Sequence, residues 1–276
     1  MRRLAVLGQP ISHSRSPAMQ SAALAELGLA GEWSYEAFEV APADFATCVR
    51  EMAAGSFVGA NVTVPHKVAA LELAGDASEA ARAIGAANTL SFAAGRIAAE
   101  NTDAAGFLDS LPSPPAGRRA LVVGAGGSAR AVVWALATNG AEVEIWNRTP
   151  ERAKRLADDL AASVAEPADG GLRTADYDLI VNATTLGMGA GASSQQPADL
   201  KSLPFDADAL AETQLLVDLA YGPAETELAR VAAARGATVV DGLEVLVRQG
   251  AASLRIWTGQ EPPIETMRRA ARATPV

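Results

Sequence analysis

The stretch from Ala120 to Thr149 constrains the fold more than any other part of this 276-residue sequence. Its apolar, β-rich start stops at a glycine cluster, and an alanine-rich helical pattern follows at once from Ser128 to Thr138. Asn139-Gly140 ends that pattern, and a second β-rich run covers residues 143–146. This order predicts one βαβ unit whose first strand–helix turn binds phosphate, because glycines let a ligand approach the backbone and a helix N-terminus is partially positive.

The end of the second predicted strand indicates which dinucleotide binds. A site for NAD usually places an acidic residue there, where it binds the ribose 2′-hydroxyl. Here the sequence reads Asn147-Arg148-Thr149, and Arg152 follows one helical turn later. A cation with two hydrogen-bonding side chains suits a 2′-phosphate, so we predict NADP. Thr149 and Pro150 are also typical of a helix N-cap and first turn, but capping does not account for Arg148. The phosphate-binding turn itself consists of Gly124, Ala125, Gly126, Gly127, Ser128 and Ala129.

Composition excludes several classes of protein. With 49% hydrophobic and 20% charged residues, the chain can form a core, and a net charge of −9 gives no electrostatic support to a nucleic-acid role. The single cysteine, Cys48, excludes an internal disulfide, and no cluster of histidines and carboxylates has the spacing of a metal site. The apolar run near the start is too short for a signal peptide, and no run approaches a membrane span of about 18 residues, so we expect a cytoplasmic protein.

A second set of β-α units precedes the glycine motif, and polar residues follow its strands. A predicted strand at 4–7 leads into a loop that contains Ser14 and Ser16, and Ser16-Pro17 is typical of a helix N-cap and first turn. Such a strand-to-helix loop is where α/β proteins bind polar ligands. Capping leaves Ser14 unexplained, and the two hydroxyls together could bind a carboxylate.

Carbonyl reduction by a nicotinamide cofactor also needs a proton donor. His13 and His66, the two histidines of the chain, could each serve, but Lys67 is favoured because it follows a strand end and a proline that fix its approach. Asp103, at the end of another predicted strand, could orient Lys67 and share its proton. The alternatives are that Lys67 is a solvated first-turn residue and that Asp103 is a helix N-cap.

A series of motifs, in order over nearly the full chain, resembles the shikimate dehydrogenase family. The matching segments are 8–17, 61–67, 85–90, 101–107, 124–130 with 147–149, 182–184, 218–223, and 242–243 with Gln249. Two positions depart from the family pattern. Gln20-Ser21 stands where a His-Asn pair is usual, and Leu243 stands where methionine is common.

The resemblance implies a role for each matched residue. Lys67 and Asp103 would be the catalytic pair, with Ser14 and Ser16 on the substrate carboxylate. The full set of implied substrate contacts is Ser14, Ser16, Thr63, Lys67, Asn88, Asp103, Tyr221 and Gln249. The implied cofactor contacts are the glycine turn with Asn147, Arg148, Thr149 and Arg152, joined by Asn182, Ala183, Thr184, Leu219 and Gly242.

The resemblance also implies an α/β fold of two domains around a cleft, the second a Rossmann-type NADP-binding domain. We expect a discontinuous substrate-binding catalytic domain from residues 1–103 and 241–276, and the NADP-binding domain from 104–240. The implied activity is NADPH-dependent, reversible reduction of 3-dehydroshikimate to shikimate in chorismate and aromatic amino-acid biosynthesis. The implied binding partner is the small-molecule substrate. The implied oligomeric state is a monomer or a homodimer.

Three alternatives stay open at this point. A paralogue could accept quinate or use NAD, although Arg148 argues against NAD. An amino-shikimate pathway enzyme would share the same site. A non-catalytic NADP-binding sensor on the same fold would have no chemical need for both Lys67 and Asp103. We further expect residues 187–209, which are rich in Gly, Ser, Gln and Pro, to form a mobile loop.

Overall fold

The computed structural model describes residues 1–168, 171–188, 200–222 and 224–273. The chain divides into two units, Met1–Gly106 with Leu246–Thr274 (unit 1) and Phe107–Val245 (unit 2). The domain boundaries expected from the sequence lie a few residues before these. Each unit is an α/β structure around its own sheet, which confirms the predicted fold class.

The described strands and helices are numbered in chain order. The strands are β1 Arg2–Gly8, β2 Trp33–Glu39, β3 Phe57–Val62, β4 Asp76–Ala77, β5 Thr89–Ala93, β6 Arg96–Glu100, β7 Arg119–Val123, β8 Glu142–Trp146, β9 Ser163–Val164, β10 Leu179–Asn182, β11 Leu215–Asp218 and β12 Thr238–Asp241. The helices are α1 Ser16–Glu26, α2 Phe45–Ala54, α3 Lys67–Leu73, α4 Glu79–Ile84, α5 Asp103–Ser110, α6 Gly127–Thr138, α7 Pro150–Leu160, α8 Glu227–Ala234, α9 Gly242–Thr258 and α10 Ile264–Ala273.

The sheet of unit 1 has the strand order β2-β1-β3-β5-β6-β4. β1 is parallel to β2 and β3, whereas β5 is antiparallel to β3 and β6. β1 reads as a continuous apolar run because both of its faces are covered. Leu4 and Val6 pack against α1, α9 and α10, while Ala5 and Leu7 pack against α2 and α3.

One tight contact fixes α9 on this sheet. The Trp257 indole N–H donates to the Leu90 carbonyl oxygen at 3.0 Å. A Cβ placed on Gly59 would lie 2.2 Å from Trp257 Nε1 and 2.5 Å from the Leu90 oxygen, so only glycine fits beneath the indole. Trp257 itself is 8% exposed.

The sheet of unit 2 has the order β12-β11-β10-β7-β8-β9, and every pair in it is parallel. This is the doubly wound pattern of a Rossmann domain, in which ligands bind at the carboxyl ends of the strands. The expectation of a loop over 187–209 is partly wrong, and residues 189–199 lie outside the described residues. Leu203 and Phe205 are buried in the core with Leu121 and Leu216, and 3₁₀ turns cover Leu200–Ser202 and Ala207–Ala209.

Candidate active site

Lys67 and Asp103 form a buried ion pair in unit 1. Lys67 begins α3, Asp103 begins α5, and Lys67 Nζ donates to Asp103 Oδ2 at 2.6 Å. Their side chains are 9% and 14% exposed, which excludes the solvated first-turn alternative for Lys67. The capping alternative for Asp103 is also wrong, because Asn101 Oδ1 accepts the hydrogen bond from the Ala104 N–H. The carboxylate of Asp103 is therefore left to face Lys67.

Asn88 and Gln249 adjoin this pair. Asn88 Nδ2 lies 2.9 Å from Asp103 Oδ1 and 3.0 Å from Gln249 Oε1, and it donates towards both. Gln249, on α9, donates from Nε2 to the Leu246 carbonyl oxygen at 2.8 Å. The structure therefore joins four predicted site residues, Lys67, Asp103, Asn88 and Gln249, into one hydrogen-bonded cluster.

Thr63 follows β3 and packs over the end of β1. A Cβ on Gly8 would lie 2.4 Å from Thr63 Cγ2, so glycine permits this approach. Gly8 opens the loop that carries Ser14 and Ser16, and Ser14 Oγ accepts a hydrogen bond from the Ser16 N–H at 3.3 Å. The prediction that Ser16 is the N-cap is wrong by one residue, because α1 begins at Ser16 and its N-cap is Arg15.

The structure places neither histidine in the position of a proton donor beside Asp103. His66 is 2% exposed, stacks on Phe45 with ring centroids 4.4 Å apart, and places Nε2 2.7 Å from the Val40 carbonyl oxygen. Since a carbonyl oxygen only accepts, Nε2 carries a proton and His66 is a structural residue. His13 is exposed in the loop before α1. Neither histidine takes part in the cluster around Lys67.

Gln20, which departs from the family pattern, is fully buried. Its Nε2 donates to the Gly250 carbonyl oxygen at 2.9 Å and so ties α1 to α9. The substitution therefore has a structural role, and Gly250 accommodates the neighbouring Met19, whose Cε would lie 2.4 Å from an added Cβ.

In unit 2 the glycine turn is built as dinucleotide binding requires. Gly124 has φ +122°, and a Cβ there would lie 2.9 Å from the Ala183 carbonyl oxygen, so other residues are excluded. A Cβ on Gly126 would meet no atom within 4 Å, which leaves open space in front of the backbone. Gly126 is the N-cap of α6 and forms no side-chain hydrogen bond there, and a helix N-terminus of this kind is a typical phosphate-binding position. Ala129 is fully buried against the sheet.

The residues predicted for the 2′-phosphate lie after β8. Arg148, Thr149 and Arg152 are exposed, and Asn147 Nδ2 donates to the Thr149 carbonyl oxygen at 2.9 Å. Thr149 occupies the N-cap position of α7, but its side chain forms no capping hydrogen bond. The hydroxyl of Thr149 and both guanidinium groups are thus accessible to a ligand.

A buried carboxylate organises the loops after β10 and β11. Asp218 is 1% exposed, and it accepts hydrogen bonds from Asn182 Nδ2 at 2.8 Å and Thr226 Oγ1 at 2.5 Å. Burial raises the pKa of the Asp218 carboxyl, although its hydrogen bonds act in the opposite direction. Asn182 Oδ1 accepts from the backbone N–H and hydroxyl of Thr184. These contacts fix the shape of the loop in which Tyr221 lies half-buried.

Gly242 and Leu219 meet where α9 begins. A Cβ on Gly242 would lie 2.5 Å from the Leu219 carbonyl oxygen and 2.8 Å from that of Ala220, so glycine is required for this approach. The same contact explains why a glycine opens α9. Direct contact of Gly242, Leu219 or Ala183 with a cofactor stays a prediction.

A cavity of about 540 Å³ lies at the other end of the unit 2 sheet, among the first residues of β7, β8 and β9. Its polar groups bond to one another, with Tyr177 Oη donating to Glu144 Oε2 at 2.5 Å and Arg119 paired with Glu144 at 3.5 Å. Burial, followed by the hydrogen bond to Glu144, raises the pKa of the Tyr177 phenol. The cavity contains none of the predicted site residues.

The described ranges, 1–168, 171–188, 200–222 and 224–273, have neither a metal-binding cluster nor a membrane-spanning helix. No group of three or more His, Cys, Asp or Glu side chains in these ranges is arranged to hold a metal ion. No helix in the same ranges combines the length and apolar character that a membrane span requires.

Sequence reasoning missed a set of polar residues that underlie the cluster in unit 1: Tyr35, Asn61, Thr89, Thr102 and Ser253. Asn61 Nδ2 lies 2.9 Å from Ser253 Oγ, and Tyr35 Oη donates to Asn61 Oδ1 at 2.7 Å. The available signal was the i,i+4 spacing of Gln249 and Ser253, which places both on one face of a helix.

A Rossmann unit with an open phosphate turn, and a second unit with a buried lysine–aspartate pair among amides and hydroxyls, define a dinucleotide-dependent dehydrogenase of a small polar substrate. Family models match the chain in three consecutive parts. Residues 6–90 match the shikimate dehydrogenase substrate binding domain, 111–241 match shikimate / quinate 5-dehydrogenase, and 242–272 match the shikimate 5′-dehydrogenase C-terminal domain.

Individual proteins give the same result. A shikimate dehydrogenase (NADP(+)) of Methanopyrus kandleri is 42% identical over 96% of this chain and 93% of its own length. The crystal structure of shikimate 5-dehydrogenase from Thermus thermophilus, in complex with NADP(H) and shikimate, is 41% identical with a TM-score of 0.86 over 99% of both chains. A 5-ketofructose reductase of a Gluconobacter strain is 31% identical with a TM-score of 0.82, over 98% of this chain and 97% of its own. This chain belongs to the shikimate dehydrogenase family, which confirms the resemblance inferred from its motifs.

Proposed function

We propose that this chain catalyses the NADP-dependent interconversion of 3-dehydroshikimate and shikimate, a step of chorismate and aromatic amino-acid biosynthesis. The observation that carries the proposal is the buried Lys67–Asp103 pair, with Asn88 and Gln249 bonded beside it, in a chain of the shikimate dehydrogenase family. A sensor without chemistry would not need a lysine ammonium and a carboxylate desolvated together, because burying such a pair is unfavourable without compensation.

The polar residues of unit 1 fit a small ring that carries hydroxyls and a carboxylate. The ring hydroxyls can bond to one hydroxyl, two carboxamides and one carboxylate of the protein. These groups belong to Thr63, to Asn88 and Gln249, and to Asp103. We assign the substrate carboxylate to a second set of hydroxyls, from Ser14 and Ser16. Hydroxyl donors suit a carboxylate because charge-assisted hydrogen bonds are the stronger ones.

The residues of unit 2 fit NADP. The open space at Gly126 and the uncapped N-terminus of α6 suit a pyrophosphate, and the exposed Arg148 and Arg152 suit a 2′-phosphate. When bound, NADPH supplies the hydride. The protein supplies the proton and the fixed positions of the reacting groups.

Lys67 is the acid–base group of the mechanism. Its ammonium donates a proton to the substrate oxygen as the 3-dehydroshikimate carbonyl becomes a hydroxyl, and in the reverse direction Lys67 accepts that proton. Asp103 accepts the hydrogen bond from Lys67 Nζ at 2.6 Å, and its carboxylate compensates the positive charge of Lys67. Asn88 donates to the other carboxylate oxygen of Asp103, which fixes the carboxylate in its plane.

Quinate use is the second candidate function, because the model matched by residues 111–241 names both shikimate and quinate. The test is the change in NADPH or NADH absorbance with purified protein, given shikimate or quinate with NADP or NAD. Turnover of shikimate with NADP alone supports the proposal, and comparable turnover of quinate or with NAD supports the second candidate. Binding of NADP without turnover of any pair would contradict both. A cytoplasmic location and a monomeric or dimeric state stay predictions.

A further inference from the structure

Ser253 is a fully buried hydroxyl on the face of α9 that packs on the unit 1 sheet. Most of that face is apolar, with Val247, Leu254 and Trp257 in the core. A hydroxyl in such surroundings is unfavourable unless it is hydrogen-bonded. Ser253 meets this condition through contacts to polar groups from three other segments of the chain.

The contacts of Ser253 Oγ are short and specific. It accepts from Asn61 Nδ2 at 2.9 Å, lies 2.8 Å from Thr89 Oγ1 and 3.1 Å from Thr102 Oγ1, and donates to the Gln249 carbonyl oxygen at 3.0 Å. The hydroxyl therefore joins β3, β5 and the segment before α5 to α9 at one point.

From this point the contacts lead to the catalytic pair through Asn88. Thr102 Oγ1 lies 2.9 Å from Asn88 Nδ2, and the Thr102 backbone N–H donates to Asn88 Oδ1 at 2.7 Å. Because a backbone N–H only donates, it fixes which end of the Asn88 carboxamide is oxygen and turns Nδ2 towards Asp103. Asn88 Nδ2 then reaches Asp103 Oδ1 at 2.9 Å, while Lys67 bonds to Oδ2.

We propose that Ser253 is a positioning residue, which acts through Thr102 and Asn88 to hold the Asp103 carboxylate against Lys67. The inference rests on the proposed function for its kinetic consequence, but the positioning itself concerns side chains that are present without any ligand. Ser253 forms no hydrogen bond to Lys67 or Asp103, so its effect has to pass through the residues between them.

The first test is Ser253→Ala, assayed with shikimate and NADP. We expect kcat to fall about 3- to 10-fold while KM for shikimate changes less than about two-fold, because small misplacement of a catalytic group lowers the rate more than binding. Thr258→Ala is the matched control, since the Thr258 hydroxyl donates to the Leu254 carbonyl oxygen on the same helix at 2.7 Å. An equal loss of kcat in both variants would overturn the proposal.

A double-mutant cycle tests whether the effect of Ser253 reaches Asp103 through Asn88. In an Asn88→Ala background, Ser253→Ala should lower kcat less than about 1.5-fold further, because residues in one hydrogen-bond network are non-additive. Full multiplication of the two losses would overturn transmission through Asn88. If Ser253→Ala does not fold, Ser253→Cys fills the site with a weaker hydrogen-bond donor and should give the same pattern.

A spectroscopic readout separates this proposal from the proposed function. In protein labelled with ¹⁵N-asparagine, the side-chain amide signal of Asn88, assigned by loss in Asn88→Ala, should move in Ser253→Ala and stay in place in Thr258→Ala. An unmoved Asn88 signal overturns the positioning role, even if the wild type turns over shikimate. A moved signal supports it, even if the wild type turns over no substrate and the proposed function fails.

Discussion

The two units offer polar residues to their ligands in opposite ways. In unit 1 the cluster of predicted substrate residues around Lys67 is largely buried, and its members are hydrogen-bonded to one another, as Lys67, Asp103 and Asn88 show. In unit 2 the predicted 2′-phosphate residues Arg148 and Arg152 are exposed, and the N-cap of α6 is Gly126, which has no side chain. Contacts within the protein therefore hold the cluster of unit 1 in place, whereas the two arginines of unit 2 are exposed to a ligand. The arrangement in unit 1 favours the catalytic rate, and the arrangement in unit 2 favours the affinity and selectivity of cofactor binding.

The sharpest test of this comparison is Lys67→Met. We expect kcat to fall about 10²- to 10⁴-fold, the usual contribution of a positioned acid–base group, with shikimate affinity changed only a few-fold. Steady-state kinetics and calorimetric binding of shikimate measure the two effects. Lys154→Met, which removes an exposed lysine paired with Asp158, is the control and should change neither.

Asp103→Asn should give the next largest effect, on the order of 10²-fold in kcat, because the charge that compensates Lys67 is lost while the shape is kept. If the two residues act as a unit, Asp103→Asn should lower kcat little further in a Lys67→Met background. Independent, multiplying losses in the double variant would contradict a coupled pair. Single-turnover rates of the four proteins measure this.

Arg148→Ala should act on cofactor binding alone. We expect KM for NADP to rise about 10- to 100-fold, since a charge-assisted hydrogen bond contributes about 1.5–3 kcal/mol, with kcat and KM for NAD unchanged. The difference from wild type should shrink as salt is added, because exposed charges are screened. Arg155→Ala, on helix α7 shortly after Arg148 and also exposed, is the matched control. An equal rise in KM for NAD would contradict a 2′-phosphate contact.

The smallest expected effect concerns Asp218 and stability. Burial raises the pKa of this carboxyl in the folded chain, so the folded state holds the proton more tightly than the unfolded state does. The free energy of unfolding should therefore fall as pH rises from the ordinary Asp pKa of about 4 through the raised value. Asp218→Asn should flatten this slope in urea unfolding measured across that range. Asp109→Asn, at an exposed position, controls for the lost charge, and a slope unchanged by Asp218→Asn would refute the assignment.

The sequence predicted most of the fold because its longer elements carry a clear hydrophobic period. The two-residue strands β4 and β9 escaped prediction, since Asp76–Ala77 and Ser163–Val164 are too short to show a period and form only by pairing with distant strands. Leu203 and Phe205 were assigned to a loop because their neighbours are polar, whereas long-range contacts bury them. Local patterns do not report such contacts.

In the candidate site, too, local motifs predicted some residues, and long-range contacts that the sequence does not show determine the others. The motif around Lys67 placed the lysine directly after a strand, and the structure brings it to Asp103. The exclusion of His66 as the acid depended on its stacking against Phe45, which no local pattern encodes. Ser253 lies outside every motif, and its partners come from segments far away in sequence. The residues of the Lys67 cluster were thus easier to predict than the residues that hold this cluster in place.

The fit of Trp257 over Gly59 has a consequence for how this chain can change over generations. No single replacement of Gly59 leaves the indole in place, and a smaller residue at 257 would leave a void and an unpaired Leu90 carbonyl oxygen. Substitutions at positions 59 and 257 are therefore expected to occur together. Relatives that lack the glycine should carry a compensating substitution at the position of Trp257. The packing of α9 on the sheet should be kept only where both residues are retained or both are replaced.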